Sequence, residues 1–132
     1  MFLVLLLAEN KEAQDKARKE IVDVLGGYGN LMTMEHIKEF EYLDRCAKES
    51  LRLFTTTPYI ARSINKEIQL GQYTIPLGTE AYISLFDLHR NPDYWKDPLK
   101  FDPDRFLPEN TKQQHPFAYV LFSKGPRSCI GQ

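Results

Sequence analysis

The sequence predicts a mainly α-helical α+β chain, and three observations support that fold class. Apolar residues recur at helical spacing before residue 57, alternate as in strands between residues 68 and 85, and give way to a proline-rich stretch after residue 91. A hydrophobic content of 42% with 27% charged residues is typical of a globular chain and excludes a disordered one. With 132 residues, the chain is long enough for one domain with a sizeable core.

Two helices are expected at the start of the chain. Residues 2–8 form an unbroken apolar run, which is too short to span a bilayer because a spanning helix takes about 20 residues. The run also lacks the positively charged lead-in of a secretory signal, so we expect the inner part of a buried helix. A second, amphipathic helix begins near Lys11 and is ended by Gly26.

Two more helices follow. Thr33 can cap a short helix that extends to Phe40, but His36 stands where a full capping box has Glu or Gln, so no full box is expected. Residues 43–54 then place small and apolar side chains on one stripe of a longer helix. Cys46 lies on that stripe, and we expect it to be a small core residue.

The middle of the chain changes period. Residues 68–75 alternate as one strand, residues 76–78 give a turn signal, and residues 81–85 return as a second strand before a short helix. Four prolines crowd between residues 91 and 110, which predicts an ordered loop rather than regular structure. Its expected aromatic anchors are Tyr94, Trp95, Phe101 and Phe106.

Charge and cysteine content exclude several classes of function. Seventeen basic residues oppose eighteen acidic ones, so the chain lacks the cationic field that nucleic-acid binding requires. Its two cysteines, Cys46 and Cys129, are too few for a multi-disulfide scaffold, and neither has a second cysteine at zinc-clip spacing. We therefore expect no nucleic-acid partner and no disulfide-linked partner.

Residues 122–131 carry the clearest chemical signal in the sequence. Gly125 and Gly131 stand on either side of a lone thiol, Cys129, and allow close approach of the backbone to another group. Arg127 adds a cation two residues before the sulfur, and a nearby cation favours the thiolate form of a cysteine. The residues alone leave three interpretations: a catalytic nucleophile, a ligand of a metal or haem iron, or an inert cysteine in a tight turn.

Three motifs carry a resemblance to a known family. The pattern Phe-x-x-Gly-x-Arg-x-Cys-x-Gly at residues 122–131 resembles the haem-ligand signature of the cytochrome P-450 monooxygenases at all five fixed positions. Glu49-Ser-Leu-Arg52 resembles the family's Glu-x-x-Arg helix, and Pro103-Asp-Arg105-Phe106 its Pro-Glu-Arg-Phe loop. Residues 115–122 and the closing Cys-Ile-Gly-Gln are most similar to animal microsomal family-four members.

The resemblance covers essentially the whole chain and implies the C-terminal part of the cytochrome P-450 fold, truncated at both ends. The partial domain would comprise a helical part at residues 1–57, a small β element at residues 58–86, and a meander with the cysteine loop at residues 87–132. Glu49, Arg52 and Arg105 would form a structural triad that locks the loop presenting the cysteine. The carboxylate of that triad would be held between two guanidinium forks.

The resemblance also implies a cofactor site. Cys129 would be the axial ligand of the iron of haem b (iron protoporphyrin IX), and the fragment would hold no other catalytic residue. Gly125 and Gly131 would let the backbone lie against the porphyrin. Arg127 would face a haem propionate, and Phe122 would pack under the ring.

The implied function is that of a monooxygenase that inserts one oxygen atom of O2 into a small organic substrate, such as a fatty acid or other lipid, or a xenobiotic. A NADPH-dependent reductase would donate electrons, and the full-length parent would lie on the cytosolic face of the endoplasmic reticulum membrane. No anchor or signal is expected in this chain. Because haem requires enclosure on both faces, we expect the isolated chain to bind it weakly or not at all and to be inactive.

Two alternatives stay open. The chain could be a non-catalytic, truncated isoform that acts as a structural or binding module. Cys129 could instead be the nucleophile of an unrelated hydrolase, in which case His115 is the nearby candidate base. The other histidines, His36 and His89, are isolated in the sequence, so surface or turn positions are expected for all three.

Overall fold

A computed structural model describes residues 1–131 of the chain, which form six α-helices and two small antiparallel sheets. The helices are α1 (Phe2–Glu9), α2 (Lys11–Leu25), α3 (Met34–Glu39), α4 (Glu41–Leu53), α5 (Leu85–Leu88) and α6 (Pro108–Thr111). The strands are β1 (Tyr59–Ser63), β2 (Ile68–Leu70), β3 (Tyr73–Ile75) and β4 (Glu80–Ser84). The predicted α-rich α+β architecture is therefore confirmed. Gln132, the last residue of the Cys-Ile-Gly-Gln match, lies outside the described residues.

Helix α1 forms as predicted, but most of it is not buried. It packs against α2 and α4, and the Phe2 ring stacks on Phe54 with centroids 4.5 Å apart. Leu6 is its one buried residue, whereas Val4 is 70% exposed. The expectation of a buried helix is wrong for its remaining sides, because no other element of residues 1–131 covers them. None of the helices in this described part has the length and apolar content to cross a membrane.

Helices α2 and α4 pack against each other, and α4 carries the motif residues Glu49 and Arg52. Helix α2 ends at Gly26, whose φ of 70° is the left-handed conformation that glycine adopts at a helix end. Helix α4 buries Cys46 completely, as predicted. The Glu20 carboxylate of α2 accepts hydrogen bonds from the amides of Tyr42 and Leu43, at 2.6 and 2.8 Å. It thereby satisfies two free donors at the start of α4 and fixes that helix against α2.

The start of α3 differs from the prediction. Thr33 Oγ1 accepts a hydrogen bond from the His36 amide, and His36 Nδ1 accepts one from the Thr33 amide at 3.2 Å. This is a reciprocal capping box, so the expectation that the box is incomplete is wrong. The physical reason is that an imidazole nitrogen can accept a hydrogen bond in the place of the usual carboxylate oxygen.

The β element has four strands where two were predicted. Residues 68–75 are not one strand but the hairpin of β2 and β3, because Gly71 adopts a φ of 59° and reverses the chain. Strand β4 and the short helix after it were predicted, but β4 pairs with β1, where Ile60 lies opposite Ile83. The turn predicted at residues 76–78 is present, and Gly78 has a φ of 85°.

The proline-rich stretch folds into an ordered loop around Trp95, which is only 1% exposed. The Phe106 ring contacts both Trp95 and Tyr119, with centroids 6.0 and 4.8 Å away. Two of the expected anchors are therefore packed, whereas Tyr94 is 46% exposed. The loop includes a 3-10 turn at Pro103–Phe106 and leads into α6, so it contains more regular structure than predicted.

Candidate functional site

The cysteine loop is closed by its own backbone. The Cys129 amide donates a hydrogen bond to the Phe122 carbonyl at 2.7 Å, and the Ser128 amide donates to the Gly125 carbonyl at 3.0 Å. The Gly131 amide donates to Cys129 Sγ at 3.4 Å. Cys129 itself is exposed. The loop thus holds the sulfur with one amide donor directed at it and leaves it accessible from outside the chain.

The backbone conformation at residue 125 explains why a glycine stands there. Gly125 has a φ of 83°, which L-residues with a side chain rarely adopt, although a Cβ there would meet nothing within 4 Å. The turn therefore requires glycine for its backbone angle, and the space beside it is open. A Cβ on Gly131 would lie 3.8 Å from Cys129 Sγ, in ordinary contact with the sulfur. Gly131 therefore leaves the sulfur without a neighbouring side chain at that point.

Two further residues of the signature have exposed side chains. Phe122 is 40% exposed, and Arg127 is exposed as well. An arginine that the sequence did not single out joins them: Arg62 of β1 donates a hydrogen bond from Nη2 to Ser123 Oγ at 2.8 Å. No local pattern could have revealed this contact, because Arg62 and Ser123 are 61 residues apart.

A buried ion pair connects α4 to the meander. Glu49 and Arg52, one turn apart on α4, are both 0% exposed. Arg52 donates from Nε and Nη2 to the two Glu49 carboxylate oxygens at 2.7 and 2.8 Å, which is the bidentate geometry of a strong pair. Arg52 Nη1 also donates to the carbonyls of His89 and Pro98, at 2.6 and 2.8 Å. The Arg52 guanidinium lies 4.9 Å from the centroid of the Trp95 ring, so α4 and the meander share one polar centre.

Arg105 joins this pair in a looser way than expected. Its Nε lies 3.4 Å from Glu49 Oε1 without hydrogen-bond alignment, and its Nη2 donates to the Asp97 carbonyl at 2.8 Å. The Asp102 amide donates to the same Glu49 oxygen at 3.0 Å. The structure therefore brings the three predicted residues together, but one guanidinium fork and one backbone amide hold the carboxylate, rather than two forks.

His89 lies in the turn that ends α5, which is one of the two positions expected for it, but it is 0% exposed instead of lying at the surface. Its Nε2 accepts a hydrogen bond from the Val120 amide at 3.0 Å, and its ring packs 5.4 Å from that of Tyr119. Burial, with the nearby charges of Arg52 and Arg90, lowers the pKa of His89 from 6.5 to about 4. The imidazole is consequently neutral at pH 7.

The alternative of a thiol nucleophile gains no support from this geometry. His115 Nδ1 accepts a hydrogen bond from the Phe117 amide, and its ring packs against those of Tyr94 and Phe117. Within residues 1–131, the hydrogen bonds of Cys129 go to Phe122 and Gly131 and none goes to a histidine. The same described residues contain no cluster of three His, Cys, Asp or Glu that could hold a metal ion. Among the residues that the structure describes, the Cys129 thiol therefore has no base partner and no companion protein ligand.

Known proteins similar to this chain point to one family. The family model for Cytochrome P450 matches residues 1–132. Cytochrome P450 4V2 of Rattus norvegicus is 48% identical over 127 residues, which make up 96% of this chain and 24% of that protein. Cytochrome P450 4c21 of Blattella germanica is 42% identical over 131 residues, 99% of this chain and 26% of that protein.

A solved structure gives the same result. The crystal structure of the cytochrome P450DA heme domain matches with a TM-score of 0.92 and 31% identity, covering 98% of this chain and 29% of that one. The chain spans about a quarter of the length of the curated relatives it matches. Those curated relatives are family-four members. The chain belongs to the cytochrome P450 family.

Proposed function

We propose that this chain is the haem-thiolate portion of a monooxygenase and that Cys129 is the axial ligand of the iron in haem b. The observation that carries the proposal is the exposed Cys129 sulfur, which lies in a closed loop with the Gly131 amide directed at it. A thiolate suits this position because it donates electron density to iron. When bound, the haem supplies the chemistry that activates O2 and inserts one oxygen atom into an organic substrate.

The residues of the loop fit such a group by their shape and charge. The Gly131 N–H donates to the sulfur and stabilises its negative charge, which tunes it as a ligand. The left-handed turn at Gly125 leaves open space where another residue would carry a side chain. The half-exposed Phe122 ring can pack against a flat ligand, and Arg127 and Arg62 can pair with the carboxylates at its edge.

The buried ion pair has a structural role in this proposal. Glu49 and Arg52 bind carbonyls and an amide of the meander, and the Phe106 ring of the meander packs on Tyr119, in the segment that leads into the cysteine loop. Both side chains are fully buried, so neither can reach a substrate. We assign them, with Arg105, to positioning the loop and not to bond making.

The finer assignments rest on similarity to the family-four relatives. We propose a lipid such as a fatty acid as the substrate, and a NADPH-dependent reductase as the electron donor. We also propose that the full-length protein acts at the cytosolic face of the endoplasmic reticulum membrane. The similarity of the chain to family-four members supports each of these assignments.

A chimera tests the proposed ligand. This chain would replace the matching segment of rat cytochrome P450 4V2, and the reduced protein would be treated with carbon monoxide. We expect the absorption band of a thiolate-ligated haem, and we expect Cys129→Ser to abolish it. Cys46→Ala is the matched control, because it removes the other, fully buried sulfur and should leave the band in place. A thiolate band that survives Cys129→Ser would contradict the proposal.

The isolated chain gives a second prediction. It offers one face of a pocket, and tight binding of a flat cofactor requires both faces to be enclosed. Mixed with haem, reduced and treated with carbon monoxide, the 132-residue chain should show no stable thiolate-type band and no monooxygenase activity. A stable band of that type would show that the proximal residues are sufficient by themselves.

A further inference from the structure

We propose that His89 is a positioning residue for the cysteine loop. Its neutral imidazole accepts a hydrogen bond from the Val120 amide and so holds the segment before the loop against α4. His89 does not belong to any of the three motifs and lies 40 residues before Cys129 in the sequence. The inference concerns how the loop is placed, and only its consequence for the iron rests on the proposed function.

Hydrogen bonds and a short piece of the main chain connect His89 to the cysteine. On one side, the His89 carbonyl accepts from Arg52 Nη1 at 2.6 Å, which ties the residue to the buried ion pair. On the other side, His89 Nε2 accepts from the Val120 amide at 3.0 Å. Two residues further along the chain, the Phe122 carbonyl accepts the Cys129 amide at 2.7 Å. His89 is therefore the residue that connects the Glu49–Arg52 centre, through its carbonyl and its side chain, to Val120, two residues before the loop.

Tyr119 secures the same segment from its other side. Its hydroxyl donates to the Lys48 carbonyl of α4 at 2.8 Å, and its ring lies 5.4 Å from the His89 ring. Both Val120 and His89 are buried, so water cannot replace the hydrogen bond between them. Two adjacent residues, Tyr119 and Val120, are thus fixed to different parts of the core before the chain enters the loop.

The contact requires one protonation state. An Nε2 that accepts an amide hydrogen carries no proton, so the proton of the neutral ring lies on Nδ1. Within residues 1–131, Nδ1 has no hydrogen-bond partner. The charged groups facing the ring, Arg52 and Arg90, are both cations, and the third neighbour is the Tyr119 ring. A second proton would therefore remove the acceptor and place a third positive charge in the same buried site.

Hydrogen exchange at the Val120 amide tests the inference directly in the 132-residue chain. His89→Leu removes the acceptor, and we expect Val120 protection to fall about tenfold, the equivalent of one lost hydrogen bond. His89→Gln offers an uncharged acceptor and should restore most of the protection. His36→Leu replaces a histidine of α3, which is remote in sequence and has no contact with Val120, and is the control that should leave Val120 unchanged. Equal protection in wild type and His89→Leu would overturn the inference.

Thiol labelling distinguishes a moved loop from an unfolded chain. In His89→Leu we expect a changed rate of Cys129 alkylation by iodoacetamide, while the buried Cys46 stays unlabelled because the core is intact. Rapid labelling of Cys46 would indicate general unfolding of the variant. In that case, the pH dependence of Val120 protection in the wild type tests the inference instead. Wild-type Val120 protection, corrected for intrinsic exchange, should be lost as the pH falls through about 4. Persistence of protection well below that pH would overturn the inference, whatever spectrum the haem-bound protein gives.

Discussion

Replacing Glu49 by alanine should lower the free energy of unfolding by about 3–5 kcal/mol, the cost of breaking a buried ion pair by removing one partner. Glu49 and Arg52 are both fully buried, and Arg52 makes its two parallel hydrogen bonds to the Glu49 carboxylate. Without Glu49, the Arg52 cation would stay in the core with only carbonyl oxygens as partners. The Asp102 amide would lose its acceptor as well. Urea unfolding followed by circular dichroism measures the change.

Two further variants separate this pair from ordinary surface charges. Glu12→Ala removes another helical glutamate, whose pair with Lys16 is exposed on α2, and we expect no measurable loss of stability. Arg52→Lys keeps the positive charge but loses the planar fork and the stacking on Trp95, so it should also be clearly destabilising. A Glu49→Ala variant as stable as Glu12→Ala would contradict the assignment of Glu49 as a structural anchor.

Lowering the pH from 6.5 to about 4 should remove about 3 kcal/mol of stability through His89 alone. The pKa of His89 is lowered to about 4 in the folded chain by burial and by the cations Arg52 and Arg90, against an ordinary value of 6.5. Between these two values the unfolded chain binds a proton and the folded chain does not, so protonation favours unfolding. The full stability is present above pH 6.5, and the loss is complete near pH 4.

A variant isolates this contribution from that of the carboxylates, which titrate in the same range. Urea unfolding would be compared at pH 7 and pH 4.5 for wild type and for His89→Gln, since glutamine has no proton to gain. We expect the wild type to lose more stability than the variant over this interval. Identical pH dependence in the two proteins would show that the environment of His89 does not exclude its charged form.

The parts of the fold that follow local rules could be predicted. Gly26 ends α2 because a helix end commonly takes a left-handed residue, and that preference is visible in the sequence. Glu49 and Arg52 are three residues apart, so a helix necessarily places them on one face. The buried position of Cys46 follows from the same periodicity. In each case the interaction lies within about one turn of helix and needs no knowledge of the tertiary fold.

The parts that depend on distant segments could not be predicted. The burial of His89 requires Val120, 31 residues away, to fold over it, and Arg62 finds Ser123 across 61 residues. Strand β4 has two possible neighbours, and only the assembled sheet selects β1 instead of the hairpin. The capping box at Thr33 was missed for a chemical reason, since the rule names a carboxylate or amide where an imidazole suffices.

Resonance Raman spectroscopy of the chimera, prepared with heavy-sulfur cysteine, tests most directly whether the Cys129 sulfur is the iron ligand. We predict an iron–sulfur stretching band that shifts to lower frequency with the heavy isotope, because the ligand is a cysteine thiolate. The same band should be absent from Cys129→Ser and present in Cys46→Ala. A spectrum insensitive to the sulfur isotope, or an isotope-sensitive band that remains in Cys129→Ser, would contradict the assignment.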